Sequence, residues 1–148
     1  MTVSHEFRVG EQVAPFVIES VDAERIKTAA AILQDPTPTH LDPAVTRARG
    51  MGENLQTQGA LNMTWFVEAA VRFAGGADRL LSFKVRFLDN VFAGDRFECT
   101  GTVSAVDANS GHAELELLAT ANGRPVLGGT AVVRTAAGGN RPVNSTKH

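Results

Sequence analysis

The stretch from Gln58 to Ala74 restricts the fold more than any other part of the chain. Leu61, Met63, Trp65, Phe66, Val67, Ala69, Ala70, Val71 and Phe73 would leave a helix there apolar round most of its circumference. Such a helix has to be wrapped by other elements instead of lying on a surface. Gly75-Gly76 ends it, with Arg72 in the last turn, where a cation suits the helix dipole. Beyond it the hydrophobic period changes to two. Phe83, Val85 and Phe87 alternate with Lys84 and Arg86; Phe97, Cys99, Gly101 and Val103 form a second alternating run; Ala113, Leu115, Leu117 and Ala119 alternate with Glu114 and Glu116. A last strand, Val126 to Arg134, follows the Asn122-Gly123 hairpin signal. Turn signals at Asp89-Asn90, Ala93-Gly94-Asp95 and Asn109-Ser110-Gly111 separate the strands, which are expected to join through short connections.

Upstream, Gln12 to Val21 reads as an edge strand, its alternation broken by Pro15. Asp22 suits the N-cap of an amphipathic helix, Ala23 to Leu33, on which Ile26, Ala29, Ala30 and Leu33 share a face; Pro36 stops it. Asp42-Pro43 matches an N-cap followed by proline at the first helical position, opening a short helix from Pro43 to Arg49. The expected architecture is α+β: a single domain over residues 1–135, in which a curved antiparallel sheet wraps the long central helix. Residues 136–148, rich in Gly, Asn, Pro, Ser and Thr, read as a frayed tail. The open sheet edge and the remaining helix surface call for a second subunit, so a dimer is expected.

Composition removes several classes of function. A net charge of -2, with Lys and Arg dispersed and no aromatic platform, gives nucleic-acid binding no support. No apolar run approaches the twenty or so residues of a membrane span, and the segment Met1 to Arg8 lacks the apolar core of a signal peptide. Cys99 is the only cysteine, which excludes an internal disulfide framework and a Cys-based metal site within one chain. A reducing, cytoplasmic setting is expected, with no membrane partner. Cys99 itself reads as a small apolar strand residue, and His5, His112 and His148 receive no role.

The chemistry concentrates in Asp35 to Asp42. In a straight strand Asp35 and His40, five apart, would face opposite ways at a separation of roughly 16 Å. Pro36 and Pro38 change this, since each fixes its own φ and pushes Asp35 or Thr37 into an extended conformation. A bend there can return both side chains to one point. An imidazole beside an ionised carboxylate can move a proton in either direction near neutral pH. Reversible hydration of an activated double bond requires that, together with a donor for the negative charge growing on the carbonyl oxygen. Gly59, opening the long helix, presents a backbone N–H with no side chain in the way. The apolar helix body offers a slot for an acyl chain.

Asp35-Pro36-Thr37-Pro38-Thr39-His40-Leu41-Asp42 resembles the Asp-x-Asn-Pro-x-His-x-Asp signature of the MaoC-like, (R)-specific enoyl-CoA hydratases, the hydratase 2 motif. Gln58-Gly59-Ala60-Leu61 stands where that family has Ala-His-Gly-Met before its central helix. Val85-Arg86-Phe87 and Val91-Phe92-Ala93-Gly94-Asp95 resemble its arginine-phenylalanine strand and its glycine-aspartate turn. The likeness covers about Asp35 to Val103. It implies a hot-dog fold, usually a homodimer or higher oligomer, and a hydro-lyase that acts on trans-2-enoyl or (3R)-3-hydroxyacyl thioesters. It implies Asp35 and His40 as the catalytic pair and Gly59 as the carbonyl-binding amide. No metal and no separate cofactor are implied, coenzyme A or phosphopantetheine being part of the substrate. Thr37, Gln58, Leu61 and Met63 are further candidate substrate contacts, Met63 sharing with Trp65 and Phe66 the alternative of being core. Four positions depart from the pattern: Leu33-Gln34 for Ser-Gly, Thr37 for Asn and Gln58 for His. Asp42 reads as a helix cap, and Arg86 as a solvated, dimer-facing or phosphate-binding residue. Two alternatives stand beside the lyase: a hot-dog thioesterase, which would need a carboxylate near the start of the central helix where Glu68 lies too far along, and a non-catalytic hot-dog subunit supporting an active partner.

Overall fold

The computed structural model describes residues 6–135. The expected tail, His5 and His148 lie outside them. Five strands form one antiparallel sheet: β1 (Gln12–Ile18), β2 (Leu80–Phe87), β3 (Phe97–Asp107), β4 (His112–Ala121) and β5 (Arg124–Arg134), in the order β1-β3-β4-β5-β2. The helices are α1 (Ala23–Ile32), α2 (Pro43–Ala48) and α3 (Gly59–Ala74), with one-turn helices at Pro38–His40 and Ala77–Arg79. The expected short connections hold from β3 to β5. β2, however, pairs with β5 and not with β3, so residues 88–96 carry the chain from one side of the sheet to the other. β1 ends at Ile18, earlier than the expected Val21, and its register slips between Val13 and Phe16, where Pro15 cannot donate to the ladder.

α3 touches all five strands. Trp65, Phe66, Ala69, Ala70 and Ala74 are buried, and Leu61, Phe73 and Val85 pack on the same core. The sheet answers with its inner row. On β4, Ala113, Leu115, Leu117, Ala119 and Ala121 are buried while Glu114, Glu116 and Leu118 face out. Each large apolar side chain taken fully from water contributes about 1.5–3 kcal/mol, so this layer is the main source of cohesion. Trp65 meets Phe97 with ring centroids 5.2 Å apart. Cys99 is fully enclosed in the same row, and burial pushes its thiol up to about 12, as expected of an inert core residue.

The curvature has a local cause. Val13, Gly101, Leu117, Gly129 and Val85 stand side by side across the sheet. A Cβ at Gly101 would collide with the carbonyl oxygen of Glu116, and one at Gly129 with that of Lys84. Backbones approach there as no other residue permits, and the sheet folds round α3 along this row. Gly129→Ala should therefore cost roughly 1–3 kcal/mol, measured as a lowered denaturant midpoint at constant slope. Gly128→Ala, whose Cβ would meet only Leu88 and Leu118 at 3.8 and 3.9 Å, should stay within about 0.5 kcal/mol of the parent.

Candidate active site

α1 begins as its sequence dictates, the Asp22 carboxylate accepting from Glu24 N–H at 2.9 Å. It closes on Leu33, and Gln34 follows in the left-handed region with φ 51°. Gln34 is the residue that stands in place of a glycine. The backbone turn persists without it, at a cost of order 1 kcal/mol for a side chain in that conformation. Asp35 N–H then donates to Ala30 O at 2.9 Å, fixing where the carboxylate leaves the helix. Pro38–His40 forms a single 3-10 turn, and Asp42 caps α2 by accepting from Ala44 N–H at 2.8 Å, as the Asp-Pro pair predicts.

This bend brings Asp35 and His40 together. Their Oδ2 and Nε2 atoms lie 3.3 Å apart, the carboxylate side chain one-third exposed and the imidazole nearly enclosed. Each group's other face is occupied. Asp35 Oδ1 accepts from the Thr37 hydroxyl at 2.6 Å and from the Thr37 N–H at 3.2 Å. His40 Nδ1 lies 2.7 Å from the carbonyl oxygen of Gln56. A carbonyl can only accept, so Nδ1 carries a proton and Nε2 is the nitrogen left facing Asp35. In the Nδ1–H tautomer of the neutral ring, Nε2 and Oδ2 are two acceptors aimed at one region, suited to a water that donates to both. The Thr37 hydroxyl and amide hold Asp35 below the ordinary carboxylate value of 3.8; burial opposes them, and the charge and hydrogen bond of His40 add lesser lowering effects.

Gln56 carries the site and gave no signal in the sequence. Its N–H donates to Thr39 O at 3.0 Å while its carbonyl takes the His40 proton. Its side chain accepts from the Thr39 hydroxyl at 3.0 Å and donates to Asn90 Oδ1 at 2.8 Å. On its other side the strip 55–57 is laced to the 88–96 crossing. Thr57 N–H donates to Val91 O at 2.9 Å and Ala93 N–H to Leu55 O at 2.8 Å. The same strip delivers the chain into α3, so the imidazole and the start of α3 share one support.

One cleft borders Asp35, and another borders the 55–57 strip. The first, of about 450 Å³, lies against Asp35, Pro36 and Leu41 with a wall of Ala30 and Ala31 from α1. The other, of about 420 Å³, is lined by Gln56, Thr57, Gly59, Asn62, Phe87, Leu88, Asp89 and Asn90. Gly59 opens α3, and a Cβ there would lie 3.4 Å from the Phe87 ring. As the first helical residue its N–H has no acceptor within the helix. Asp35, Thr37 and His40 thus form one cluster, and Gly59 stands in the neighbouring cleft, joined to them through Gln56. Gln58 turns inward, its Nε2 donating to Ile26 O at 2.9 Å, and lines neither cleft. Leu61 and Met63 are half-buried and also line neither. Arg86 is exposed on β2. Among the described residues no group of three or more His, Cys, Asp or Glu side chains is placed to hold a metal ion, and no helix is long and apolar enough to cross a membrane.

No family model and no curated protein matches the sequence. Solved structures do. The (R)-hydratase from A. caviae involved in PHA biosynthesis superposes with a TM-score of 0.77 at 25% identity, over 87% of this chain and 97% of that one. A MaoC-like dehydratase gives 0.81 at 18% identity, over 88% of this chain and 41% of that one. The chain has the hot-dog fold of the MaoC-like hydratases and dehydratases. A chain of the ChsH1-ChsH2 complex from Mycobacterium tuberculosis shares this hot-dog fold, with a TM-score of 0.74 at 18% identity over 91% and 99% of the two chains. In hot-dog terms α3 is the wrapped helix, and the Asp35–His40 cluster sits on the strip that feeds it.

Because the folded-state pKa of Asp35 is lowered, its interactions stabilise the protein above the ordinary carboxylate value and are lost as pH falls through the folded pKa. A carbon-13 NMR titration of the Asp35 carboxyl should give a midpoint below 3.8. Thr37→Val should move that midpoint upward and Thr37→Ser should leave it in place; an unmoved midpoint in the valine variant would remove Thr37 as the cause.

Proposed function

We infer that the chain is a hydro-lyase that reversibly adds water to a trans-2-enoyl thioester, or removes it from a (3R)-3-hydroxyacyl thioester, carried on coenzyme A or an acyl-carrier protein. The observation that carries this reading is the 3.3 Å approach of His40 Nε2 to Asp35 Oδ2, with Nδ1 and Oδ1 already committed to Gln56 and Thr37. In the hydration direction, Nε2 takes a proton from the bound water as its oxygen bonds to the β-carbon. The imidazolium so formed lies against the Asp35 carboxylate, which opposes its charge. Electron density moves onto the thioester oxygen, where the Gly59 N–H stabilises it, and the proton taken up by His40 passes to the α-carbon as the enolate collapses, returning the ring to neutral. Glu68, the carboxylate on α3, is paired with Arg72 at 2.7 Å and belongs to no part of this cluster, so nothing in the structure favours a thioesterase.

The functional unit is a homodimer or a larger assembly of this chain. β2 is an edge strand, and Leu81, Phe83, Phe87 and Leu88 remain 38–52% exposed on or beside it. An open edge with apolar side chains is the surface a second copy would cover.

Incubation with crotonyl-CoA should consume the enoyl absorbance without release of free thiol. Asp35→Asn and His40→Gln should each slow this by at least about a hundredfold, as loss of general acid–base catalysis does. Thiol release without hydration, or an unchanged rate in either variant, would sink the assignment. In sedimentation velocity the parent should run as a dimer or larger and Phe83→Lys as a smaller species; a monomeric parent would refute the assembly.

A further inference from the structure

The wall of the cleft at the start of α3 includes one buried side-chain acceptor that the chain itself does not use. Asn62 is 4% exposed and lines that cleft, yet its Oδ1 has no hydrogen-bond partner. The other buried or half-buried polar side chains of the wall are committed. Gln56 uses its oxygen for Thr39 and its nitrogen for Asn90, and the Thr57 hydroxyl donates to Val91 O. Asp89 is held by Arg124 at 2.8 Å. Gln58 Oε1 is also buried without a partner but Gln58 lines no cleft, so in this wall Asn62 alone keeps an enclosed side-chain acceptor open. A buried carbonyl left unsatisfied is costly, and native proteins rarely keep one without a use.

Its position suggests the use. Gly59 and Asn62 are three apart on the first turn of α3, so they lie on one face of the helix. That face offers a backbone donor at Gly59 and a side-chain acceptor at Asn62. Five of the eight lining residues, Gln56, Thr57, Asn62, Asp89 and Asn90, have polar side chains. A plain hydrocarbon chain would strip water from these groups and give nothing back, whereas an acyl group with its own hydroxyl or amide N–H would satisfy Asn62.

Resting on the thioester reading above, we propose that Asn62 is a specificity-determining residue whose Oδ1 accepts a hydrogen bond from a donor on the acyl group, so that the preferred substrates are polar acyl thioesters and not simple fatty ones. Discrimination then arises chiefly from rejection: an acyl group with a methyl where the donor belongs leaves the Asn62 oxygen desolvated and unpaired.

The test is binding of unreactive, isosteric pairs to the full chain by calorimetry: 4-hydroxybutyryl-CoA against pentanoyl-CoA, and 5-hydroxypentanoyl-CoA against hexanoyl-CoA. The parent should bind the hydroxylated member of at least one pair tenfold or more tightly. Asn62→Leu should reduce that preference to within about threefold, and its melting temperature should hold or rise, because the change removes an unpaired buried oxygen. Equal binding within both pairs, or a preference that survives in Asn62→Leu, overturns the proposal. So does a fall in melting temperature of the leucine variant without loss of preference, the result expected if Asn62 only anchors an internal water. The parent's preference is itself a test should the variant fail to fold. Hydration of crotonyl-CoA is scored separately. Hydration with no isostere preference refutes the role of Asn62 alone; preference without hydration refutes the reaction and leaves the recognition standing.

Discussion

The structure depends on enclosing α3. A sixteen-residue helix with apolar side chains on nearly every face cannot be satisfied by one flat layer, and the sheet meets the demand by bending until all five strands reach it. The strand order follows from the same need. β2 leaves α3 and pairs with β5, the far strand, while β1 closes the opposite side against β3. That arrangement obliges residues 88–96 to cross from one side to the other, and the crossing passes the N-terminal end of the helix.

The candidate site is a by-product of that crossing. Residues 55–57 run between the crossing and the Pro38–His40 turn, hydrogen-bonded to both. Gln56 therefore holds the imidazole by its carbonyl, Thr39 by its side-chain oxygen and Asn90 by its side-chain nitrogen. The Asp35–His40 pair is set by backbone and by committed hydrogen bonds, so its geometry is fixed before any ligand arrives. Thr37 supplies the remaining rigidity by fixing one oxygen of Asp35 and leaving the other to face His40.

Much of this was legible in the residues. The wrapped helix, the alternating strands, the Asp22 and Asp42 caps and the Pro15 break each rest on a local rule, and each is found where that rule puts it. Asp35 and His40 were legible because two prolines constrain the chain between them. The long-range pairings were not. Nothing near Leu80–Phe87 says that this strand seeks β5 and not its neighbour in sequence, since both pairings would satisfy its alternation. Gln56 and Asn62 escaped for a related reason: a glutamine in a loop and an asparagine on a helix acquire meaning only from what lies across the cleft. Gln58 shows the converse, a residue whose place beside Gly59 suggested the substrate but whose amide serves the α1–α3 contact.

The glycine row across the sheet bears on how such a shape persists through sequence divergence. At Gly101 and Gly129 the bend is enforced by the absence of two Cβ atoms beneath neighbouring carbonyls, and no particular fit of large side chains is needed to produce it. Leu117, flanked by these glycines, is buried in the core, and its Cδ2 lies over Gly101 where a Cβ would otherwise stand. The core can therefore exchange one apolar residue for another while the curvature stays, because shape and filling are written in different atoms. Solved structures at 18–25% identity do superpose on this chain.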